Sequence, residues 1–266
     1  MITKEDIITY IQKIPPAPKA MKQTIALLQV GELKKASEVA KEDRAFASYL
    51  KDLLNKPIYG FTKEVSDITQ IFSILGISKS LQTVYNYLLS LLSPKEWSFF
   101  ALDKNSFYEL QADLLASWNN ILSHLGVEDK EIESAITILP ASVIVCEALF
   151  SEHKKDVELI RSTKDLDLNE MLERLSGFRL FSICELIAKK WEMSPKIVTI
   201  LEYALTTDSS GENELKRYGK WMHLLLFYTL SKPRYIQAEL NDFLAFEVEF
   251  VEDIYEEFTQ IMEIEQ

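Results

Sequence analysis

Histidine is nearly missing from this chain, with three in 266 residues at positions 124, 153 and 223. A catalytic metal in an all-helical protein is held by histidines and carboxylates projecting inward from several helices, so these three would have to carry any such site. None is followed by Asp, none belongs to an H-E-x-x-H arrangement, and none has a second His at i+3 or i+4. Each also has a plainer reading. His124 lies just before Gly126, where a helix dipole favours a cationic side chain. His153 stands in the charged run SEHKKD, and His223 in KWMHLLLFY reads as a partly buried, hydrogen-bonded ring. Cysteine is scarcer still. Cys146 and Cys184 sit in apolar helical patterns, which argues against a disulfide framework and for a reducing interior. Neither has a basic neighbour in sequence and no G-x-S-x-G turn occurs, so nothing signals a nucleophile. The seven glycines form no G-x-G or P-loop pattern that would cradle a phosphate. With only eight prolines beside them, this scarcity favours helices.

Positive charge is missing from one region. After Arg234 there is no Lys or Arg, while ten acids follow between Glu239 and Glu265, so most of the net charge of −12 belongs to the C-terminal segment. That balance argues against binding a nucleic-acid backbone, which clustered Lys and Arg would have to neutralise. The opening residues MITKEDIITYIQKIPP carry charges where a signal peptide needs an apolar core, and no later apolar run is read as long enough to span a bilayer. A cytoplasmic protein without membrane insertion is expected.

What the chain does have is helical periodicity. Thr3 and Asp6 fit a capping box ahead of Ile7, Ile8 and Ile11, and Pro15-Pro16 stops that helix. Met21, Ile25 and Leu28 predict a second helix ended by Gly31. Asp43 is placed to cap a third carrying Phe46, Leu50, Leu53 and Leu54. Ser66 opens another that Gly76 ends, and Leu81–Leu92 follows. Residues 93–106, SPKEWSFFALDKNS, lack a helical period and read as a link between two helical lobes. Beyond them, helices are expected over 107–125, 129–150 with a proline-containing turn, 166–175, 181–191, 195–206, 212–230 and 235–264. No segment alternates as a strand does, so the fold class is all-α.

The stretches KIPPAPKAM (13–21), EDRAFASYLKDLLNKPIYGF (42–61) and VSDITQIFSILGI (65–77) follow one another in an order that resembles the HDOD domain family. Ile14, Pro15, Pro16 and Pro18 match the family's proline-rich entry. Asp43 matches its helix-opening Asp, although Arg44 stands where a proline is usual. Asn55, Tyr59 with Gly60, and Leu75 with Gly76 match the rest. The resemblance implies an HDOD-like multi-helix bundle, with an N-terminal lobe (1–95) packed on a degenerate HD-type lobe (96–266) or continuous with it. In catalytic relatives a His-Asp pair stands where this chain has Pro140 and Ala141, and a further pair of histidines where it has Tyr203 and Ala204. Neither proline nor alanine binds a metal, and a phenol is a poor substitute for imidazole.

The resemblance therefore implies a non-enzymatic bacterial signal-transduction or regulatory module, with no cofactor and no catalytic or metal-ligating residue, acting on a protein partner. Two alternatives stand beside it: an HD-type phosphohydrolase with a metal site displaced onto the three histidines, and a sensor of a small ligand or nucleotide in the vacated HD cavity. The candidate binding residues are Asn55, whose simpler role is a helix cap, and a stripe through Phe243, Val251, Tyr255 and Phe258. That stripe runs beside an acidic face containing Glu252, Asp253 and Glu256. The simpler reading packs the stripe on the body and leaves the acidic face to a basic partner. A second copy of the chain also stays open as a partner.

Overall fold

The structure, a computed structural model, describes residues 2–54, 65–164, 168–205, 213–240 and 248–264. Helix α1 (Lys4–Lys13) begins at the expected capping box, with Thr3 Oγ accepting from Asp6 N and the Asp6 carboxylate accepting from Thr3 N at 2.7 Å. Helix α2 (Lys19–Gln29) starts at Pro18 and ends near Gly31. The sequence reading passed over α3 (Leu33–Ala40), whose buried face is made of the small side chains Ala36, Ser37 and Ala40. Asp43 caps α4 (Arg44–Leu54), its Oδ1 accepting from Ala45 N and Phe46 N at 3.0 Å each. Helix α5 (Ile68–Leu92) is capped by Asp67 rather than by Ser66. It breaks at Gly76, whose φ of 73° a residue with a Cβ rarely adopts. α5 packs on α2, α3 and α4 and also reaches the second half of the chain.

Residues 93–103 form no helix, and the next helix starts at Lys104, within the stretch 93–106 that lacks a helical period in sequence. Next come α6 (Lys104–His124), capped by Asp103 with Ser106, and α7 (Lys130–Ala135), capped by Asp129. A 3-10 turn (Ile136–Ile138) leads into α8 (Pro140–Glu152), where Pro140 takes the first helical position that its missing N–H suits. Helix α8 is buried on nearly every side and forms the centre of the core. The stretch Lys130–Glu152 is in fact long and apolar enough, by length and composition, to cross a membrane, which corrects the expectation that no run reaches that length. Its apolar residues are used for packing here, with 89% of the most apolar window buried among the other helices.

Helix α9 (Lys154–Lys164) was also not anticipated. It is followed by α10 (Leu168–Ser176), α11 (Leu180–Lys190), α12 (Pro195–Tyr203) and α13 (Glu214–Leu230), all close to the predicted spans. The single long helix expected over 235–264 is not formed. A short α14 (Pro233–Ile236) comes first, Glu239 follows with a φ of 64°, and α15 (Val248–Ile261) is separate. Among the described residues there are fifteen α-helices and no strand, an all-α bundle as predicted.

Candidate functional site

The positions where the resemblance expects metal ligands lie on α8 and α12. Pro140 and Ala141 are buried in the first turn of α8. Beside them the Cys184 thiol approaches Leu139 O at 3.5 Å. Burial pushes the Cys184 thiol up to about 12 and raises that of Cys146 as well, so both stay neutral and unreactive. At the end of α12, the Tyr203 hydroxyl accepts from Asn213 Nδ2 at 3.2 Å, and Ala204 O faces His223 Nδ1 at 3.0 Å. His223 belongs to α13, which comes this close because Gly219 has no side chain. A Cβ there would lie 2.8 Å from Ala204 N and 2.9 Å from Tyr203 C. The His223 ring stacks on Phe181 of α11 at 5.4 Å between centroids and meets Phe227 and Phe250 at 5.0 and 5.2 Å. Gly219 thus lets α13 close on the end of α12, where the resemblance places ligands, and sets His223 against Ala204 O with three phenyl rings around the imidazole.

The three histidines are not brought together. His124 Nε2 lies 3.7 Å from Glu257 on α15, His153 closes α8 with its backbone N–H on Leu149 O, and His223 is on α13. Among the described residues no group of three His, Cys, Asp or Glu side chains could hold a metal ion.

The matched motif residues do structural work between the two halves. Trp191, the C-cap of α11, donates from Nε1 to Pro15 O at 3.3 Å, and Lys190 Nζ donates to Gln12 O at 2.9 Å. Lys22 pairs with Glu192 at 2.5 Å. The proline-rich entry is therefore held by the tryptophan that ends a helix far along the chain. Trp191→Phe keeps most of the packing and removes the hydrogen bond, so a loss of about 2 kcal/mol is expected in urea unfolding.

Of the candidate binding residues, Asn55 and Phe243 fall outside the described residues. Val251 and Phe258 are 0% and 1% exposed. Phe258 sits 6.0 Å from the Trp221 ring and 5.4 Å from Tyr228 on α13. These two side chains are buried in the core, as in the simpler reading that packs the stripe on the body. Tyr255, Glu252, Asp253 and Glu256 are exposed on the opposite face. That face is less negative than the sequence suggests, because α13 supplies counter-charges: Lys220 to Asp253 at 2.7 Å and Arg217 to Glu257 at 2.9 Å.

One site was not read from the sequence. A cleft of about 300 Å³ is lined by Asn169, Glu170, Glu173, Arg179, His223, Phe227 and their neighbours. Its residues come from the starts of α10 and α11, the end of α12 and the middle of α13, which no spacing in the chain connects. Glu173 pairs with Arg179 Nε at 2.8 Å, Glu170 pairs with Arg174, and Asn169 is buried with an Oδ1 that has no hydrogen-bond partner.

No curated protein sequence matches the chain. Solved structures do share its architecture. An HDOD domain protein of unknown function from Geobacter sulfurreducens is 12% identical, with a TM-score of 0.62, over 97% of this chain and 95% of that one. A protein from Shewanella amazonensis, provisionally named a phosphohydrolase, is 14% identical with a TM-score of 0.62 over 98% of each chain. A protein from Marinobacter aquaeolei, provisionally named for signal transduction, is 15% identical with a TM-score of 0.64 over 98% of this chain and 64% of that one. At these identities the likeness is one of fold. The HDOD domain profile matches residues 14–206, covering the proline-rich entry, the Asp43 cap, the Gly76 break and the Trp-ended helix: the chain belongs to the HDOD domain family.

Proposed function

We propose that this chain is a non-enzymatic regulatory module of bacterial signal transduction, working in the cytoplasm through contact with a protein partner. The observation that carries the reading is the state of the two ligand positions. At one, Pro140 and Ala141 are buried in the packed start of α8. At the other, Ala204 is buried and its carbonyl faces the His223 ring. Proline and alanine at these positions carry no metal donor, and the His223 ring beside Ala204 turns Nδ1 to a backbone carbonyl, which supports a loss of the groups that would activate a water for attack on a phosphoester. The exposed acidic side of α15, with Glu252, Glu256 and Tyr255 outward, is the surface this reading offers to a basic partner. Elemental analysis of the untagged protein, paired with a phosphodiester hydrolysis assay in added Mn²⁺ and Mg²⁺, tests it. No stoichiometric transition metal and no turnover above buffer are expected. A bound metal near one per chain together with hydrolysis would overturn the proposal.

A further inference from the structure

A groove of about 660 Å³ opens where α5 meets α7 and the end of α6. Gly76, where α5 breaks, is on its rim, and at its base lie two side-chain amides, Gln82 of α5 and Asn119 of α6. Gln82 is 2% exposed, and its Nε2 donates to Glu133 O at 3.0 Å and to Asn119 Oδ1 at 3.4 Å. A backbone carbonyl only accepts, so the amide is fixed with its nitrogen toward Glu133 and its Oε1 turned away. Gln82 Oε1 and Asn119 Nδ2 then have no partner among the described residues, and neither is among the unpaired polar atoms sealed from solvent. The groove thus presents one free acceptor and one free donor, on two amides bonded to each other. Apolar walls flank them, with Leu75, Ile77 and Val127 half-buried on the lining. Apolar surface continues beyond it at Ile74, 42% exposed, and at Val30, 72% exposed, next to Gly31, where a Cβ would lie 4.0 Å from Ile77 Cδ1. The charged side chains of the lining are Lys79, Glu128 and Glu133, one negative charge in excess. The positive first turn of α5 after Gly76 and the negative last turn of α6 both border the groove and offset each other.

From this juxtaposition we infer that the groove holds an extended segment of a partner protein in which an apolar residue stands next to a Lys or Arg. In an extended chain the N–H and C=O of one residue point the same way, as they do toward a neighbouring strand. Such a pair meets the two free amide atoms: the N–H donates to Gln82 Oε1 and the C=O accepts from Asn119 Nδ2. The apolar side chain lies between Ile77 and Val127, and the basic one reaches Glu128 or Glu133. An acidic segment fits poorly, since it meets two carboxylates for one ammonium. The volume is within the range of ligand sites, and the open side lets the rest of the segment pass. The inference rests on the reading of the chain as a partner-binding module, and it adds a contact that does not use the exposed side of α15.

NMR titration of the nitrogen-labelled full chain tests it, with the capped dipeptide N-acetyl-Leu-Lys N-methylamide as the probe. Saturable shifts of the Gln82 and Asn119 side-chain NH₂ signals are expected, with a Kd below about 10 mM. The Leu-Glu analogue should bind at least about threefold more weakly. Asn119→Ala removes the donor at a half-buried position and should weaken the Leu-Lys probe about fivefold or more. Glu128→Gln combined with Glu133→Gln keeps both shapes and should abolish the preference for Lys over Glu, a readout that stands even if the Asn119 variant folds poorly. No saturation up to about 50 mM, equal affinity for the two dipeptides, or an affinity unchanged in Asn119→Ala would each overturn the inference. So would N-methylacetamide binding as tightly as the dipeptide, which would mean a site for a small amide. A monomer–dimer equilibrium in sedimentation that Asn119→Ala abolishes would seat a second copy in the groove and overturn it too. None of these outcomes involves metal binding or hydrolysis, the results that would overturn the proposed function.

Discussion

Replacing Glu147 with Ala is expected to cost about 4 kcal/mol of folding stability, a large share of the roughly 5–15 kcal/mol typical of a domain. Glu147 is 2% exposed in the middle of α8. Its carboxylate accepts from the backbone N–H groups of Ser98, Phe99 and Phe100 at 2.6, 3.0 and 2.8 Å, and from Ser151 Oγ at 2.8 Å. Residues 93–103 have no helix to satisfy their amides, so this one side chain does it for three of them in a row. The fixed backbone then seats Phe99 and Phe100 against Phe150, with centroids 5.1 and 6.3 Å apart. Alanine leaves three donors orphaned at once, each worth about 1–3 kcal/mol if it stays dry. Some recover water by loosening the segment, which is why the expected cost is below their sum. Glu147→Gln keeps an acceptor oxygen but turns an NH₂ group toward the amides, and roughly half the loss is expected. Urea unfolding measures both variants. Trypsin supplies a second readout, since Lys95 lies at the start of the anchored segment and should become a cleavage site in the Ala variant. A midpoint shift equivalent to less than about 0.5 kcal/mol would mean that the amides find other partners and that the carboxylate does not hold the segment.

How much of this could be read beforehand depended on sequence distance. Thr3, Asp43 and Pro140 act on their own helices within a few residues, and each was placed correctly because capping and proline geometry are local. Helix α3 was passed over because its buried face is built from two alanines and a serine, with no large apolar side chain to mark it. In α9, Val157 is buried in a run dominated by charges. The region 235–264 was read as one helix because its apolar spacing continues, whereas the chain turns at Glu239. Glu147 is a lone acid in VIVCEALF, and the amides it serves lie 47 to 49 residues earlier, beyond the reach of local spacing. The cleft at the end of α12 is less legible still. Asn169, Arg179, Ala204 and His223 meet only because three helix ends and the flank of α13 converge there. The apolar stripe of α15 was legible as periodicity, and its docking against α13 decides that Val251 and Phe258 are core.

Gly219→Ala should lower stability by about 2–3 kcal/mol, although alanine is the better helix former by about 1 kcal/mol at an exposed site. The opposition comes from α12. The added methyl would stand 2.8 Å from Ala204 N, 2.9 Å from Tyr203 C and 3.0 Å from Ile200 O, all of them backbone atoms of the last turn. A flexible side chain could swing aside, but a helix backbone cannot, so α12 and α13 must separate along their whole contact. Separation lengthens the bond between His223 Nδ1 and Ala204 O and disturbs the stack of His223 on Phe181. The expected signature is therefore double: a lower unfolding midpoint, and loss of the Nδ1-protonated pattern of His223 in nitrogen NMR spectra at neutral pH. Because the obstruction is backbone, trimming Ile200 or Tyr203 to Ala in the same chain should not rescue either signal. Rescue by one of those trims would show that side-chain crowding, and not the approach of the two helix backbones, sets the distance at this corner. The expected failure of rescue makes Gly219 the residue that allows an imidazole to pack on the end of α12, where the wider family resemblance places metal ligands.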